Sequence, residues 1–147
     1  MRISVINGPN LNLLGKRDKD LYGQVSLKEI QRNLKLQFSD MEFDFYQSNV
    51  EGEIINKIQS LANDFEGLII NPGGYAHTSI AIKDALSELD IPKIEVHLSN
   101  LAAREDYRQI LITASACNGY ISGFKEKSYY AAVYLLRTLI EGNGDWI

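Results

Sequence analysis

The sequence predicts an α/β fold in which helices cover both faces of a parallel β-sheet. Short apolar runs alternate about five times with amphipathic stretches along the chain, and strands that alternate with helices form parallel sheets. The run at 67–70, Gly-Leu-Ile-Ile, is apolar throughout, which is typical of a strand covered on both faces. The length of 147 residues suits one domain with a buried core, so we expect a single domain over 1–147.

The predicted strands are short, and the helices between them start at polar capping residues. Ser26 and Glu29 have capping-box spacing and are followed by apolar residues at helical spacing. Ser48 and Glu51 have the same spacing ahead of a second apolar stripe, and we expect a capping box there too. The predicted strands lie at 3–6, 43–46, 67–70, 93–98 and 119–122.

The second half of the chain contains two further predicted helices and one stretch without a clear period. Thr78 or Ser79 can cap the first of these helices. The last helix covers 130–140, and Gly142 stands where a C-terminal stop belongs. Residues 100–117 could form a short helix, an irregular loop, or both.

Composition and charge exclude several classes of protein. The formal net charge is −4 and the pI about 5.2, whereas nucleic-acid-binding domains tend to have a pI above roughly 9. The one cysteine, Cys117, cannot form an intramolecular disulfide or a cysteine-rich zinc site. No apolar run reaches the roughly 18 residues that span a bilayer, and the first residues lack the apolar segment of a secretory signal. We therefore expect a cytoplasmic protein that binds neither nucleic acid nor a membrane.

Polar side chains follow three of the predicted strands, at the edge where parallel-sheet proteins bind their ligands. Residues 7–10 follow the first strand, 71–79 follow the third, and the fourth strand leads into 95–100. Both histidines of the chain, His77 and His97, lie in these segments. The sequence therefore predicts a cleft at the carboxyl edge of the sheet.

Glu95, His97 and Ser99 alternate along the fourth strand, so their side chains share one face. A carboxylate beside an imidazole can orient the ring and favour its protonated form, which suits a general acid. Alternatively, His97 is a hydrogen-bonded core residue and His77 contacts only backbone at a helix N-terminus. A metal site formed by His77, His97 and Glu95 is a further alternative, although the chain has no HExxH motif.

Residues 15–25 are mostly polar and contain two glycines, and we expect them to form a mobile lid over the cleft. They include Arg17 and Tyr22. A tyrosine can act as a base when neighbouring cations favour its phenolate form, and the candidate cations are Arg17, Arg104 and Arg108. Alternatively, the segment is a solvated surface loop, and the two later arginines pair with neighbouring carboxylates on one helix.

Four separate segments, taken together, carry a family resemblance. They are 6–15, Arg17 with Tyr22–Gly23, 71–79, and 95–100 followed by 103–105 and Arg108. In this order and spacing they resemble type II 3-dehydroquinate dehydratase over nearly the full chain. The resemblance implies a flavodoxin-like three-layer sandwich with a five-stranded parallel sheet. It also implies dehydration of 3-dehydroquinate to 3-dehydroshikimate, the third step of the shikimate pathway, without a metal or cofactor, in a homododecamer of four trimers.

The resemblance implies a catalytic role for each of five residues. Tyr22 is the base that takes the proton beside the substrate ketone, and Arg17 holds it as phenolate and closes the lid. Asn10 positions a water that stabilises the enolate intermediate. His97 is the acid that protonates the departing hydroxyl, and Glu95 supports it.

The resemblance also implies how the anionic substrate, 3-dehydroquinate, is bound. The backbone at Leu98 and Ser99 cradles the substrate carboxylate, and Asp84 reaches the site of a neighbouring subunit. The substrate hydroxyls and carboxylate bind the side chains of Asn71, His77, Ser99 and Arg108.

The chain departs from the family pattern at two places beside this pocket. Gln109-Ile110 follows Arg108 where many members have His-Ser, and Gly74-Tyr75 stands where Ala followed by Leu or Tyr is common. We expect these differences to affect substrate affinity and rate rather than the identity of the catalytic residues.

Other functions on the same fold remain as alternatives, because a fold does not determine a function. A receiver-type regulatory module needs an acidic cluster after the first strand, where this chain has Asn-Gly-Pro-Asn at 7–10. A flavin-binding module would be yellow when purified. A non-catalytic homologue is the third alternative, although every residue that matches the catalytic set is present.

Overall fold

A computed structural model describes residues 1–142 and contains the predicted parallel sheet. The strands are β1 (Arg2–Asn7), β2 (Glu42–Gln47), β3 (Gly67–Asn71), β4 (Lys93–His97) and β5 (Gly119–Ser122). Their order in the sheet is β2-β1-β3-β4-β5, and each neighbouring pair is parallel. This is the flavodoxin-like order, so the predicted fold class is confirmed. The end of the predicted domain, 143–147, lies outside the described residues.

The α-helices of this part of the chain alternate with the strands. They are α1 (Lys19–Tyr22), α2 (Leu27–Gln37), α3 (Glu51–Gln59), α4 (Ile80–Glu88) and α5 (Lys127–Glu141). Helix α5 begins before the predicted start at 130. Its first residues, Lys127 and Ser128, are polar, so the apolar spacing that predicts the helix begins only after them. None of the helices within 1–142 is both long and apolar enough to cross a membrane.

The capping predictions differ in their outcome. The Ser26 hydroxyl accepts a hydrogen bond from the Glu29 N–H, 3.2 Å away, at the start of α2. The prediction of a capping box at Ser48 is wrong, because α3 is preceded by Val50 in an extended conformation. The Ser48 hydroxyl instead accepts from the Val50 N–H, which closes a turn ahead of the helix rather than its first turn.

The helices pack on the two faces of the sheet and form the outer layers of a three-layer sandwich. Helices α2 and α5 cover one face, where Leu34 and Leu136 are fully buried among strand side chains. Helices α3 and α4 cover the other face through Ile58 and Ile82. Removal of this apolar surface from water is the main force that holds the layers together. The arrangement leaves the carboxyl edge of the sheet open for a site, at the switch point between β1 and β3.

The stretch at 100–117 combines short 3₁₀ turns with irregular segments. The turns are Leu101–Ala103, Asp106–Gln109 and Thr113–Ala116. Cys117 follows the last turn, and burial raises the pKa of its thiol to about 12, so the thiol is protonated at neutral pH. Leu101 and Arg108 line the same cleft as His97, so this stretch forms one wall of the site.

Candidate active site

A cleft at the carboxyl edge of the sheet brings together most of the residues that the sequence singles out. Its walls come from the ends of β3 and β4, the predicted lid and the 100–117 stretch. Leu11, Gly73, Leu101 and Arg104 also line it, although the resemblance assigns them no role. The predicted site residues that line the cleft are Arg17, Tyr22, Asn71, His77, His97, Leu98, Ser99 and Arg108.

His97 and Glu95 form a buried pair at the end of β4. The Nε2–H of His97 donates to Glu95 Oε2 across 2.7 Å, and both residues are buried. The other carboxylate oxygen, Oε1, accepts a hydrogen bond from the Thr113 hydroxyl. Because Nε2 is engaged by Glu95, Nδ1 is the ring nitrogen that can meet a ligand. Strand alternation predicted the Glu95–His97 pair, but Thr113 lies in the stretch without a period and gave no signal.

His77 lies beside His97, with the two rings stacked and their centroids 6.0 Å apart. Its Nδ1 is 2.8 Å from the backbone carbonyl of Ile110. Burial lowers the pKa of His77 from its usual 6.5, and the neighbouring His97 lowers it further, against the opposing effect of the Ile110 carbonyl. His77 is therefore neutral at pH 7, with its proton on Nδ1 and with Nε2 as an acceptor.

A metal centre does not form from the two histidines and Glu95. Among residues 1–142, no three His, Cys, Asp or Glu side chains are grouped as metal ligands. Glu95 uses its two oxygens for His97 and Thr113. The alternative metal set of the sequence is therefore not supported by the geometry.

Two guanidinium groups lie over the ring of Tyr22, one from the predicted lid and one from the stretch at 100–117. The guanidinium carbon of Arg17 lies 3.8 Å from the ring centroid, and that of Arg104 lies 5.3 Å away. Tyr22 is half-buried at the end of α1, and the Asp18 carboxylate caps this short helix. A positive charge over an aromatic face is favourable. The segment is thus partly helical, while its mobility stays a prediction.

Two arginines form the cationic side of the cleft, and a serine accepts a hydrogen bond from one of them. Arg104 Nη1 donates to Ser99 Oγ across 3.1 Å, and Arg108 Nε donates to Glu105 Oε2 across 2.7 Å. The alternative that both arginines pair with neighbouring carboxylates is right about Glu105. It is wrong about a shared helix, because Arg104 ends one 3₁₀ turn and Arg108 belongs to the next. Both arginines line the cleft.

Asn71 is held by a buried network beneath the cleft. Its Nδ2 donates to the Tyr129 hydroxyl across 3.2 Å, and its Oδ1 accepts from the Gly73 N–H across 3.1 Å. The Tyr129 hydroxyl in turn donates to the side-chain oxygen of Asn7. Burial raises the pKa of Tyr129, so its hydroxyl stays neutral. The apolar pattern of the last helix predicts only a core position for Tyr129, so the sequence did not indicate the hydrogen bonds of its hydroxyl.

One glycine allows the loops after β1 and β3 to meet. A Cβ atom at Gly8 would lie 2.4 Å from the carbonyl oxygen of Pro72, which is closer than any side chain tolerates. The Gly8 N–H donates to the Asn71 carbonyl across 2.7 Å. The close approach of these loops therefore depends on the missing side chain at Gly8.

Three predicted site residues lie outside the lining of the cleft. Glu95 is fully buried against His97, whereas Asn10 and Asp84 are exposed. Asn10 is exposed and has a left-handed backbone, with φ of 70°, and its N–H donates to Asn49 Oδ1 across 2.9 Å. Asp84 is exposed on α4. The cleft of a single chain does not bring either of these two exposed side chains together with the predicted base and acid.

The departures from the family pattern act through the supporting structure, because none of the four residues lines the cleft. The Gln109 side chain donates to the Leu101 carbonyl and ties two 3₁₀ turns together. Ile110 accepts the hydrogen bond from His77 through its backbone carbonyl. The Tyr75 hydroxyl donates to the Asn49 carbonyl across 3.2 Å.

Comparisons with known proteins agree on one family. The model of the family described as dehydroquinase class II matches residues 1–137. A 3-dehydroquinate dehydratase from Caldanaerobacter subterraneus subsp. tengcongensis is 46% identical over 145 residues, which are 97% of this chain and 98% of that protein. A 3-dehydroquinate dehydratase from Clostridium botulinum (strain Langeland) is 49% identical over 96% of this chain and 95% of that protein.

One solved structure supports the same family, and another shares the fold. The crystal structure of type II dehydroquinase from Butyrivibrio crossotus has a TM-score of 0.88 and 46% identity, over 93% of this chain and 97% of that chain. A 3-dehydroquinate dehydratase-like protein from Bifidobacterium longum shares the fold at 22% identity, with a TM-score of 0.70. The match of the family model over most of the chain, together with these identities, shows that the chain belongs to the class II dehydroquinase family.

Proposed function

We propose that this protein dehydrates 3-dehydroquinate to 3-dehydroshikimate, the third step of the shikimate pathway, with its own side chains as acid and base. The observation that carries the proposal is the pairing of two groups in one cleft. Tyr22 lies under the Arg17 guanidinium, and His97 lies against the buried Glu95 carboxylate. A base and an acid that line the same cleft suit the removal of a proton and a hydroxide from neighbouring carbons.

Tyr22 acts as the base in the first step. Its phenolate takes the proton from the carbon beside the ketone, and the C–H electron pair moves to the ketone oxygen to form an enolate. Arg17 and Arg104 stabilise the phenolate because both guanidinium groups lie over the ring. Asn10, which lies outside the lining of the cleft, positions a water molecule that donates to the enolate oxygen.

His97 acts as the acid in the second step. The enolate re-forms the ketone, a carbon–carbon double bond forms, and the carbon–oxygen bond to the neighbouring hydroxyl breaks. His97 gives a proton to the departing hydroxyl, which leaves as water. The Glu95 carboxylate holds the Nε2–H of the ring, so that the proton on Nδ1 faces the substrate.

The cationic wall binds the substrate carboxylate. Ser99 and the backbone at Leu98 form the cradle, and Arg108 supplies a planar donor that suits a carboxylate. Neutral His77 accepts a hydrogen bond from a substrate hydroxyl through Nε2. Asn71 has one further N–H and one further lone pair for the substrate beyond its bonds to Tyr129 and Gly73.

The proposed setting of the reaction is a cytoplasmic homododecamer of four trimers. Asp84, exposed on α4 and outside the lining of its own cleft, is proposed to reach the substrate site of a neighbouring subunit. The lid at 15–25 is proposed to open for substrate and to close with Tyr22 over it.

An assay with 3-dehydroquinate tests the proposal directly. The purified protein is expected to produce a rise in conjugated enone absorbance. Tyr22→Phe should lower kcat by about a hundredfold to ten-thousandfold and leave the fold intact, because Tyr22 is only half-buried. Tyr134→Phe, a change at an exposed tyrosine of α5, is the matched control and should retain activity. A wild-type protein that leaves 3-dehydroquinate unchanged refutes the proposal.

A further inference from the structure

Thr113 occupies a special position behind the Glu95–His97 pair. Its side chain is fully buried and donates a hydrogen bond to Glu95 Oε1, while His97 Nε2 donates to Oε2 across 2.7 Å. Each oxygen of the fully buried Glu95 carboxylate therefore has one donor. Thr113 does not line the cleft, so it cannot touch the substrate directly.

The other charged and titratable groups around the pair do not replace this donor. Lys93 shares a face of β4 with Glu95, but its amine donates to the Leu89 and Ile91 carbonyls. Arg108 is engaged by Glu105. His77 bonds to the Ile110 carbonyl.

The remaining titratable group on this side is a thiol. The Cys117 Sγ lies 3.8 Å from the Thr113 backbone carbonyl, and the nearby Glu95 is one cause of the raised thiol pKa. A neutral thiol is a weak donor. Within residues 1–142, the Thr113 hydroxyl is thus the donor that satisfies the far oxygen of Glu95.

We propose that Thr113 is a positioning residue, whose hydroxyl keeps Glu95 ionised and oriented so that the catalytic proton stays on His97. The proposal rests on the proposed role of His97 as the acid. Loss of the hydroxyl leaves a buried carboxylate oxygen without a donor, and such a carboxylate takes up a proton more readily. The proton then passes from His97 to Glu95 within the pair. The ring becomes a neutral imidazole, which is a much weaker acid than imidazolium.

Thr113→Val tests this inference, because valine has the shape of threonine without its hydroxyl. The kcat value is expected to fall about tenfold or more, since a donor to a buried charged group is lost. KM should stay within about twofold, because Thr113 does not line the cleft. The alkaline limb of the kcat profile should move to higher pH. The reason is that the fully deprotonated pair, with a neutral His97 ring and an ionised Glu95, becomes less stable.

Two further variants separate the hydroxyl from general effects on the turn. Thr113→Ser keeps the hydroxyl and is expected to restore the wild-type kcat and pH profile. Ser115→Ala removes a hydroxyl from the same 3₁₀ turn, where it donates to the Ile112 carbonyl, and should change neither. A Thr113→Val protein with the wild-type kcat and profile overturns the proposal. So does a Thr113→Ser protein as impaired as Thr113→Val.

A measurement without substrate tests the same inference independently of the reaction. The chain has two histidines, so the ring-proton NMR signals are assigned with a single His77→Gln variant. In Thr113→Val the His97 ring is expected to stay neutral down to a lower pH than in the wild type, because the proton of the pair then lies on Glu95. Unchanged His97 titration refutes the role of Thr113, whereas an inactive wild type refutes the proposed function alone.

Discussion

Tyr129 illustrates how a residue without access to the cleft controls one that lines it. Its ring belongs to the core between α5 and the sheet, and its hydroxyl joins Asn7 to Asn71. The hydroxyl connects the ends of β1 and β3, the two strands at the switch point of the sheet. A core position on a helix therefore also sets the orientation of an amide that lines the cleft.

Tyr129→Phe is expected to lower the free energy of unfolding by about 1–3 kcal/mol, because two buried amide groups lose a partner. Urea unfolding followed by circular dichroism measures the change. Tyr130→Phe is the matched control, since the Tyr130 hydroxyl is partly buried and lies 3.3 Å from Glu126. Its loss should cost less than about 1 kcal/mol. Equal losses in the two variants would contradict the role given to the Tyr129 network.

His77 should make the stability of the protein depend on pH. Burial lowers its pKa below 6.5 in the folded state, whereas the unfolded chain takes up a proton near pH 6.5. As the pH falls below about 6.5, the unfolded state binds more protons, and the free energy of unfolding decreases. Above that pH both states hold His77 neutral, and its contribution vanishes.

A comparison of wild type with His77→Gln isolates this effect. Urea unfolding at about pH 5.5 and about pH 7.5 should show a larger loss of stability on acidification in the wild type. Other groups titrate in both proteins, so the difference between their two losses of stability on acidification is due to His77. Equal losses of stability in the two proteins would mean that the folded state does not resist protonation of the His77 ring.

At the scale of the elements, helix α4 follows directly after the turn that contains His77, and its N-cap fixes where the helix begins. The Ser79 hydroxyl, rather than that of Thr78, accepts a hydrogen bond from the Ile82 N–H across 2.9 Å. This bond satisfies one of the free N–H groups of the first helical turn. The start of α4 is thereby fixed directly after the loop that carries His77.

Ser79→Ala should reduce the free energy of unfolding by about 1 kcal/mol, the usual cost of losing an N-cap. Ser87→Ala is the control in the same helix, because Ser87 is exposed and its hydroxyl only donates to the Lys83 carbonyl one turn earlier. It should change the stability by less than about 0.5 kcal/mol. Chemical unfolding of both variants checks the prediction, and a neutral Ser79→Ala would show that the cap is dispensable.

At the scale of the whole molecule, the β5 edge of the sheet exposes apolar surface. Tyr120 and Phe124 line one groove there and are 53% and 68% exposed. Unpaired strand edges and exposed aromatic side chains are costly for an isolated chain. The proposed assembly of twelve copies gives such surfaces a place to be buried.

Light scattering of the purified protein tests the assembly. The expected mass is twelve times the 16.6 kDa of one chain, and it should persist on dilution to the concentrations of the enzymatic assay. Asp84→Ala should then lower activity without changing the mass, because the carboxylate is proposed to serve a neighbour's site. A monomeric mass with full activity would contradict both the assembly and the role of Asp84.

Local patterns predicted the regular elements better than the segments between them. The apolar run at 67–70 is a fully buried strand, and Ser26 caps its helix as its spacing predicts. The Ser48 capping box failed because the same hydroxyl has a competing partner two residues on. Residues 100–117 have no period, since their short 3₁₀ turns are held by contacts with other parts of the chain.

The sequence alone determined the order of strands and helices, and it placed Glu95 and His97 on one face of a strand. These properties depend on residues close together along the chain, where periodicity and spacing are informative. The tertiary structure decided that Arg104 covers Tyr22, that Tyr129 holds Asn71, and that Thr113 holds Glu95. Each of these contacts joins segments far apart in the chain, and only packing of the layers determines which side chains meet.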